Sequence, residues 1–201
     1  MFAVTGERME EWQEDIDTVI SLTPTHISVY GLTIEPGTEF AKLQARGAVL
    51  TAEEDLAAEM YIFTQDRLTT SGYSQYELSN YSRPGLECQH NLGYWSNRDY
   101  LGFGAGAHSY RCTTAPQNSS WGRRWSNLPS PQHYIERIES QRTAIQREES
   151  LSELQARTEF FFLGLRRAEG VNPLDYRNRF DGDLSQEFAA PIRDLTDKGL
   201  L

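Results

Sequence analysis

The sequence of 201 residues predicts an α/β fold. Two amphipathic helical patterns are each followed by a segment rich in β-branched or aromatic residues, which is the order of elements in α/β proteins. The apolar fraction of 38%, taken with the 15 glycines, is that of a globular chain rather than a disordered or fibrous one. No apolar stretch approaches the roughly 20 residues that a membrane span needs. The length suits one domain, or one domain and part of another.

The first part of the chain is predicted to alternate helix and strand. Residues 8–20 repeat apolar side chains at helical spacing, with acids on the opposite face, and residues 26–34 are typical of a buried strand. Residues 51–72 predict a second helix, because a threonine precedes an acidic first turn and a glycine ends the pattern. Residues 73–79 alternate as a strand does. Helix followed by strand, twice over, predicts a parallel sheet.

The middle of the chain lacks helical periodicity. Residues 87–111 are typical of a loop that leads into a glycine-rich strand, and residues 113–120 are polar and rich in turn formers. Residues 121–127 predict a short edge strand. A helix is predicted to begin at Ser130-Pro131, where a capping residue precedes proline at the first helical position.

The last part is predicted to be helical and to form a separate domain. Three helical segments are expected, over residues 151–170, 173–180 and 184–198. Side chains in the first of them are expected to anchor a small core, namely Phe160, Phe161, Phe162, Leu163 and Leu165. We place the domain boundary so that residues 1–147 form the first domain and residues 148–201 the second.

Charge and cysteine content exclude several function classes. The net charge is −10, and residues 1–60 carry most of the acidic excess, which argues against nucleic-acid binding. The two cysteines, Cys88 and Cys112, are too few for a disulfide framework or for an all-cysteine metal or iron–sulfur site. The first residues resemble no signal peptide, so a cytosolic location is expected.

The basic residues of the middle third share one chemistry. All seven between residues 61 and 140 are arginine, whose guanidinium suits bidentate contacts with carboxylate or phosphate. They are Arg67, Arg83, Arg98, Arg111, Arg123, Arg124 and Arg137. For each one alone, an ordinary solvated arginine is the alternative.

Three segments could carry chemistry. Residues 102–109, GFGAGAHS, have glycines that let a backbone approach a flat ligand, or a neighbouring strand, closely; the string lacks the context of a dinucleotide-binding fingerprint. Residues 90–95, HNLGYW, offer an axial nitrogen ligand and aromatic walls to a planar macrocycle, although a structural histidine is the alternative. Residues 30–38 hold the end of the predicted strand, an acid and a tight turn, and they suit a pocket at the strand's carboxyl end if the sheet is parallel, or an ordinary turn.

Three strings together carry a family resemblance: HISVYGLTIEPGT, GYSQYELSNYSRPGLECQHNLGYW and DYLGFGAGAHS. In this order and spacing they resemble the radical S-adenosylmethionine proteins related to oxygen-independent coproporphyrinogen III oxidase, and within that family the branch of HemW-type haem chaperones. The resemblance covers residues 9–201. It implies the second half of a partial, TIM-like radical S-adenosylmethionine barrel, followed by the start of a helical C-terminal domain similar to a winged helix.

The resemblance also implies site residues. His90 would ligate haem iron, with Asn91, Tyr94 and Trp95 in the same motif. The adenine side of an S-adenosylmethionine pocket would be formed by Tyr30, Leu32, Thr33, Gly104, Ala105 and Gly106. The family's C-x-x-x-C-x-x-C motif, which binds a [4Fe–4S] cluster, is absent from this sequence. No cluster and no radical catalysis are therefore expected of this chain alone, which resembles the second half of a longer protein.

Three functional hypotheses follow from this resemblance. The first is a haem-binding protein that passes haem to an accepting protein, which the HNLGYW string favours. The second is part of an enzyme that decarboxylates coproporphyrinogen III oxidatively. The third is a half-barrel with no function alone, since a sheet without its first strands would expose an edge and an apolar face.

Overall fold

A computed structural model describes residues 1–48, 51–113 and 120–200. The turn-rich segment predicted over residues 113–120 lies, but for its two ends, outside the described residues. The chain divides into two compact units, Met1–Cys88 and Gln89–Leu201, and each is described by itself. Among the described residues, no helix combines the length and apolar composition that a membrane crossing requires.

The first unit packs two long helices against each other. Its helices are α1 (Met9–Ser21), α2 (Glu39–Ala45) and α3 (Glu54–Thr70). Both helices predicted in this unit are confirmed. Trp12 of α1 is buried against α3, where its indole nitrogen donates to the Thr64 hydroxyl at 2.8 Å. Met60 and Leu68 complete the apolar core on the α3 side.

The sheet of the first unit corrects the predicted parallel pairing. Its strands are β1 (His26–Ser28), β2 (Ser74–Glu77) and β3 (Asn80–Ser82), in the order β1-β3-β2. Both pairings are antiparallel because β3 folds back on β2 after two residues and lies between the predicted strands. The first strand is also shorter than the predicted 26–34, and beyond it only a single parallel bridge joins Gly31 to Phe2 among the described residues.

The second unit begins with an unpredicted helix and a three-stranded antiparallel sheet. These elements are α4 (Gln89–Trp95), β4 (His108–Cys112), β5 (Gly122–Asn127), α5 (Pro131–Gln141) and β6 (Ile145–Ser150). The order β4-β5-β6 makes β5 the central strand, so the predicted edge position of residues 121–127 is wrong. The reason is β6, a polar segment that becomes a strand by pairing with β5. The helix predicted at Ser130-Pro131 is confirmed, with the Ser130 hydroxyl accepting from the His133 backbone.

Four helices end the chain. They are α6 (Glu153–Gly164), α7 (Pro173–Phe180), α8 (Leu184–Glu187) and α9 (Ala189–Asp197). The helix predicted over 184–198 is therefore two helices, which meet at Phe188. Phe160 packs edge-on and Phe161 at a tilt of 43° against the buried Tyr176, as expected of core anchors. Phe162 and Leu165 are exposed, which corrects their predicted place in this core.

Candidate functional site

His90 is the second residue of α4 and is exposed. Its ring packs edge-on against the ring of Tyr94, one helical turn later, with 4.7 Å between centroids and 84° between planes. No hydrogen bond to a described residue engages either ring nitrogen. A nitrogen of this kind can bind a metal ion, provided the imidazole is neutral.

A row of tyrosines continues from Tyr94 into the sheet. The Tyr94 and Tyr100 rings pack edge-on at 4.5 Å, and Tyr100 lies 6.0 Å from Tyr110. Tyr100 is held in this position because its backbone exchanges two hydrogen bonds of 2.9 Å with Tyr110 of β4. Burial is the largest cause that raises the pKa of Tyr100 and of Tyr110, so both phenols remain neutral at physiological pH.

These rings form one wall of a cavity of about 300 Å³, which we call the aromatic cavity. It is lined by Tyr94, Trp95, Asn97, Arg98, Tyr100, Tyr110, Arg124, Glu159 and Leu163. Arg124 pairs with Glu159 at 3.0 Å, so two of its charged groups neutralise each other. The remaining walls are largely aromatic and suit the face of a flat apolar ligand.

Trp95 is the last residue of α4 and has a buried hydrogen-bond donor. The guanidinium carbon of Arg166 lies 4.6 Å from the centroid of the Trp95 ring. The indole Nε1 is buried and makes no hydrogen bond within the described part of the chain. A buried donor without a partner is uncommon in folded proteins. Tyr94 and Trp95 of the predicted motif therefore line the aromatic cavity, whereas His90 is not among its lining residues and contacts it through the ring of Tyr94.

The end of α4 explains the position of Asn97 and Arg98. The Arg98 amide donates to the Gly93 carbonyl at 3.0 Å, and the Asn97 amide donates to the Tyr94 carbonyl at 3.0 Å. These two bonds form a Schellman motif, which requires a left-handed residue at the position of Asn97, here with φ of 55°. Asparagine tolerates this conformation better than most residues. The turn buries the Asn97 side chain and carries Arg98 to the surface.

The glycine string is a turn, which corrects the predicted glycine-rich strand. Gly104 and Gly106 have φ of 102° and 71°, values that favour glycine, and the strand β4 begins only at His108. The turn is fixed by the Asn127 side chain, which donates to the Gly104 carbonyl at 3.0 Å. Ala105 lies at the centre of this turn. These residues belong to the second unit.

Tyr30, Leu32 and Thr33 belong to the first unit and follow β1. Tyr30 is half exposed, and its hydroxyl lies 3.5 Å from the Asn80 side-chain nitrogen. Leu32 is tied to Phe2 by a backbone hydrogen bond of 2.9 Å, and Thr33 is exposed. The pocket predicted to join these residues to the glycine turn stays a prediction.

A buried polar network lies beside Tyr30. Glu77 and Asn80 are both buried, and the Asn80 amide donates to the Glu77 carboxylate. Ser28 donates to the Asn80 side-chain oxygen at 2.5 Å. The Glu77 carboxylate also accepts from the Ser79 backbone at 2.9 Å, which stabilises the turn between β2 and β3. This network fixes the strand ends from which Tyr30 leaves the sheet.

The cysteines do not form an iron–sulfur site. Cys88 and Cys112 are free thiols. In the described ranges, no three side chains of His, Cys, Asp or Glu converge on a position where a metal ion could bind. The residues present therefore do not fit a [4Fe–4S] cluster, which requires three or four thiolates.

Sequence reasoning singled out His90 and its motif but missed Tyr100, Tyr110 and Arg179. The last of these is buried and donates to the Tyr110 hydroxyl at 2.8 Å. The sequence spacing of Arg179 could have indicated this position. Arg179 lies three residues after Tyr176 and one before Phe180, on the apolar face of α7. A charged residue in an apolar stripe is a candidate for a special role.

Comparisons with known proteins agree with the resemblance. Residues 151–201 match the family described as the HemN C-terminal domain. The chain is 34% identical over 201 residues to the heme chaperone HemW of Bacillus subtilis, covering 100% of this chain and 51% of that protein. It is 33% identical to the heme chaperone HemW of Lactococcus lactis, covering 100% of this chain and 50% of that protein. The chain thus spans about half the length of these curated relatives.

A vertebrate relative and a solved structure extend the comparison. A mitochondrial protein of Danio rerio, named radical S-adenosyl methionine domain-containing protein 1, is 32% identical over 173 residues, covering 85% of this chain and 38% of that protein. Coproporphyrinogen III oxidase (HemN) of Escherichia coli, a radical SAM enzyme, matches in structure with a TM-score of 0.67 and 17% identity. That match covers 98% of this chain and 46% of the enzyme and shows the fold. Over its full length the chain is thus a homologue of the heme chaperones HemW, and its residues 151–201 belong to the family of the HemN C-terminal domain.

Proposed function

We propose that the chain is the haem-binding part of a haem chaperone-like protein, with His90 as the ligand to haem iron. The observation that carries the proposal is the exposed His90 imidazole, free of hydrogen bonds to the described residues and packed on the first ring of a tyrosine row. Two relatives bear the name heme chaperone HemW, which supports haem as the molecule that is bound.

The surroundings of His90 support a flat, largely apolar ligand. The edge-on contact with Tyr94 restricts the rotation of the imidazole, which lowers the entropy lost when a nitrogen binds iron. The aromatic cavity offers ring faces to a tetrapyrrole, and the buried Trp95 nitrogen offers a donor. Asn91, partly buried beside His90, belongs to the same segment. In this proposal the His90 imidazole would donate a nitrogen lone pair to haem iron, and the rest of the chain would bind and orient the ring.

A haem titration tests this function. Purified protein is titrated with haem while the Soret band is followed, for wild type and for His90→Ala. We expect a shifted Soret band in wild type, and a weaker and differently positioned band in His90→Ala. The matched control is His133→Ala, because His133 is also an exposed histidine near the start of a helix of the second unit.

Far-ultraviolet circular dichroism establishes that both variants are folded as wild type is. Equal spectra and affinities for wild type and His90→Ala would exclude His90 as the ligand. Loss of the band in both variants alike would point to a general disturbance of the unit and would likewise contradict a specific role for His90.

The wider activity is part of the same proposal. Tyr30, Leu32 and Thr33 of the first unit, with Gly104, Ala105 and Gly106 of the second, would contribute the adenine side of an S-adenosylmethionine pocket. Radical chemistry is not expected of this chain alone, because its two cysteines do not fit the cluster. The partners would be haem and a haem-accepting protein, in the cytosol. The half-barrel and winged-helix descriptions remain predictions.

The oxidase hypothesis is separable by experiment. The structural match to coproporphyrinogen III oxidase has 17% identity and bears on the fold alone. Titration with coproporphyrinogen III, compared with haem, distinguishes the two. Haem binding that depends on His90, without binding of coproporphyrinogen III, is the expected result. Preference for coproporphyrinogen III would favour the oxidase hypothesis.

A further inference from the structure

Arg179 of α7 is a buried cation with too few partners. Arg179 is only 6% exposed, and its Nη2 donates to the Tyr110 hydroxyl at 2.8 Å. The Nε and Nη1 atoms are buried and have no hydrogen-bond partner in the described part of the chain. No carboxylate of a described residue forms an ion pair with this guanidinium.

Two partly buried arginines of the second unit are neutralised, whereas Arg137 and Arg166 each have a buried Nε without a partner and no ion pair among the described residues. Arg124 pairs with Glu149 at 3.1 Å and with Glu159 at 3.0 Å. Arg157 pairs with Glu187 at 2.7 Å. Arg179 differs from Arg137 and Arg166 because it is buried, not partly buried, and has two unpartnered nitrogen atoms, and burying a charge without a counter-charge is costly. An anionic ligand can supply the hydrogen-bond acceptors and the counter-charge that a buried guanidinium lacks.

Arg179 lines a second cavity, of about 390 Å³, which we call the arginine cavity. Arg98 and Arg167 line it as well, whereas Asp175 is its one acidic lining residue. Arg167 is engaged by Glu169 at 2.6 Å, and Arg98 has no ion pair within the described ranges. The side-chain nitrogen of Asn97, also in the lining, is buried and has no hydrogen-bond partner among described residues. The cavity thus combines excess positive charge with orphaned donors.

The arginine cavity and the aromatic cavity share Asn97 and Arg98 in their linings. A ligand that occupied both would have a flat apolar body against the tyrosines and a short anionic arm against the guanidinium groups. Haem has this form, since its ring carries two propionate groups. Planar guanidinium groups suit carboxylates because they can donate two parallel hydrogen bonds to the two oxygens.

We propose that the arginine cavity binds a propionate carboxylate of the tetrapyrrole, with Arg179 and Arg98 as its principal donors. This assignment rests on the proposed haem-binding function and adds to it the group that orients the ring. The propionate supplies the acceptor that Arg179 lacks, and the Asn97 amide, which lines both cavities, supplies a neutral donor. His90 binds the iron, and the arginines bind the carboxylate.

Comparison of haem with its dimethyl ester tests this inference. The ester retains the ring and the iron but lacks the carboxylate charges. We expect wild type to bind haem about tenfold more tightly than the ester, the size of one charge-assisted hydrogen bond. Arg98→Gln, at an exposed position, and Arg179→Gln should both reduce this preference. Arg111→Gln should keep it, because Arg111 is exposed on β4 and lies outside the arginine cavity.

The outcomes separate the two levels of the proposal. Equal affinity of wild type for haem and ester, with a Soret band that still depends on His90, would overturn the arginine assignment and leave haem binding intact. An undiminished preference in Arg98→Gln and in Arg179→Gln, with both variants folded, would also overturn it. Absence of any His90-dependent band with either ligand would overturn both proposals.

Discussion

The Arg179 guanidinium donates to the Tyr110 hydroxyl across 2.8 Å and joins α7 to β4. Both side chains are buried, with exposed fractions of 6% and 3%. Tyr110 is also the last ring of the row that begins at Tyr94. This hydrogen bond therefore joins Tyr110, which lines the aromatic cavity, to Arg179, which lines the arginine cavity.

Tyr110→Phe should destabilise the protein by about 2 kcal/mol, because it removes the acceptor of a buried charged donor. Urea unfolding followed by circular dichroism measures the change. The control is Tyr100→Phe, which removes a hydroxyl group that has no hydrogen-bond partner among the described residues. This change should cost about 0.5 kcal/mol or less. Equal losses in the two variants would contradict the stabilising role of the Arg179 bond.

Tyr176 predicts a loss of stability at alkaline pH. Burial, followed by a hydrogen bond of 2.6 Å to the Glu187 carboxylate, raises the pKa of this phenol to about 12 from the ordinary 10. Since the folded pKa is raised, the contribution to the free energy of unfolding is complete below pH 10 and declines as pH rises towards 12. The stability difference between wild type and Tyr176→Phe should therefore shrink over this range in urea titrations. A difference that stays constant from pH 8 to pH 12 would be inconsistent with this linkage.

Arg142→Gly should stabilise the end of α5. Arg142 is exposed and has φ of 58°, a left-handed conformation that is unfavourable for a residue with a Cβ. Glycine relieves this cost, and we expect a gain of about 1 kcal/mol in unfolding free energy. Gln141→Gly, one residue earlier and inside the helix, should instead cost about 0.5 to 1 kcal/mol. A loss of stability in Arg142→Gly would show that the cap is not strained.

Thr64→Val should weaken the core of the first unit. The Thr64 hydroxyl is buried and accepts from the Trp12 indole at 2.8 Å, and it also donates to the Met60 carbonyl at 2.7 Å. Valine preserves shape and removes both bonds, at a cost of about 1 to 2 kcal/mol in unfolding free energy. Thr70→Val, at the exposed end of the same helix, is the control and should change stability by about 0.5 kcal/mol or less. Thermal unfolding of both variants measures the difference.

Arg124→Met should destabilise more than Arg123→Met. Arg124 bridges β6 and α6 through Glu149 and Glu159, with a side chain 35% exposed. Arg123 pairs only with Glu148 among the described acids, and both side chains are nearly half exposed. We expect a loss of about 1 kcal/mol in Arg124→Met and a smaller loss in Arg123→Met, because solvent screens the exposed pair. A high-salt measurement should reduce both, and equal losses would argue against the bridging role of Arg124.

Capped helices were predictable from sequence because their ends carry local chemistry. Proline after asparagine set the start of α7, and the observed bounds Pro173–Phe180 equal those predicted. By contrast, α4 was missed because it has only seven residues and includes Gly93. The β2–β3 hairpin was missed because Leu78-Ser79 is not a typical hairpin turn; the Glu77 side chain stabilises it instead.

The candidate site was predictable only in part. His90 and the aromatic residues of its motif lie close together in sequence, and a short helix brings His90 onto Tyr94. Arg179 approaches Tyr110 from 69 positions away, so their contact depends on the packing of α7 against the sheet. No local pattern encodes such a contact, although the charged residue in an apolar stripe could have marked Arg179.

The central position of β5 leaves two outer strands that need protection from pairing with other chains. On one side, Tyr100 bridges Tyr110 and covers part of β4. On the other, β6 carries Arg147, Glu148 and Glu149 in succession. Consecutive charges on an outer strand discourage the addition of a further strand from another molecule. The polar composition that hid β6 from sequence reasoning therefore also disfavours the pairing of this outer strand with a strand of another chain.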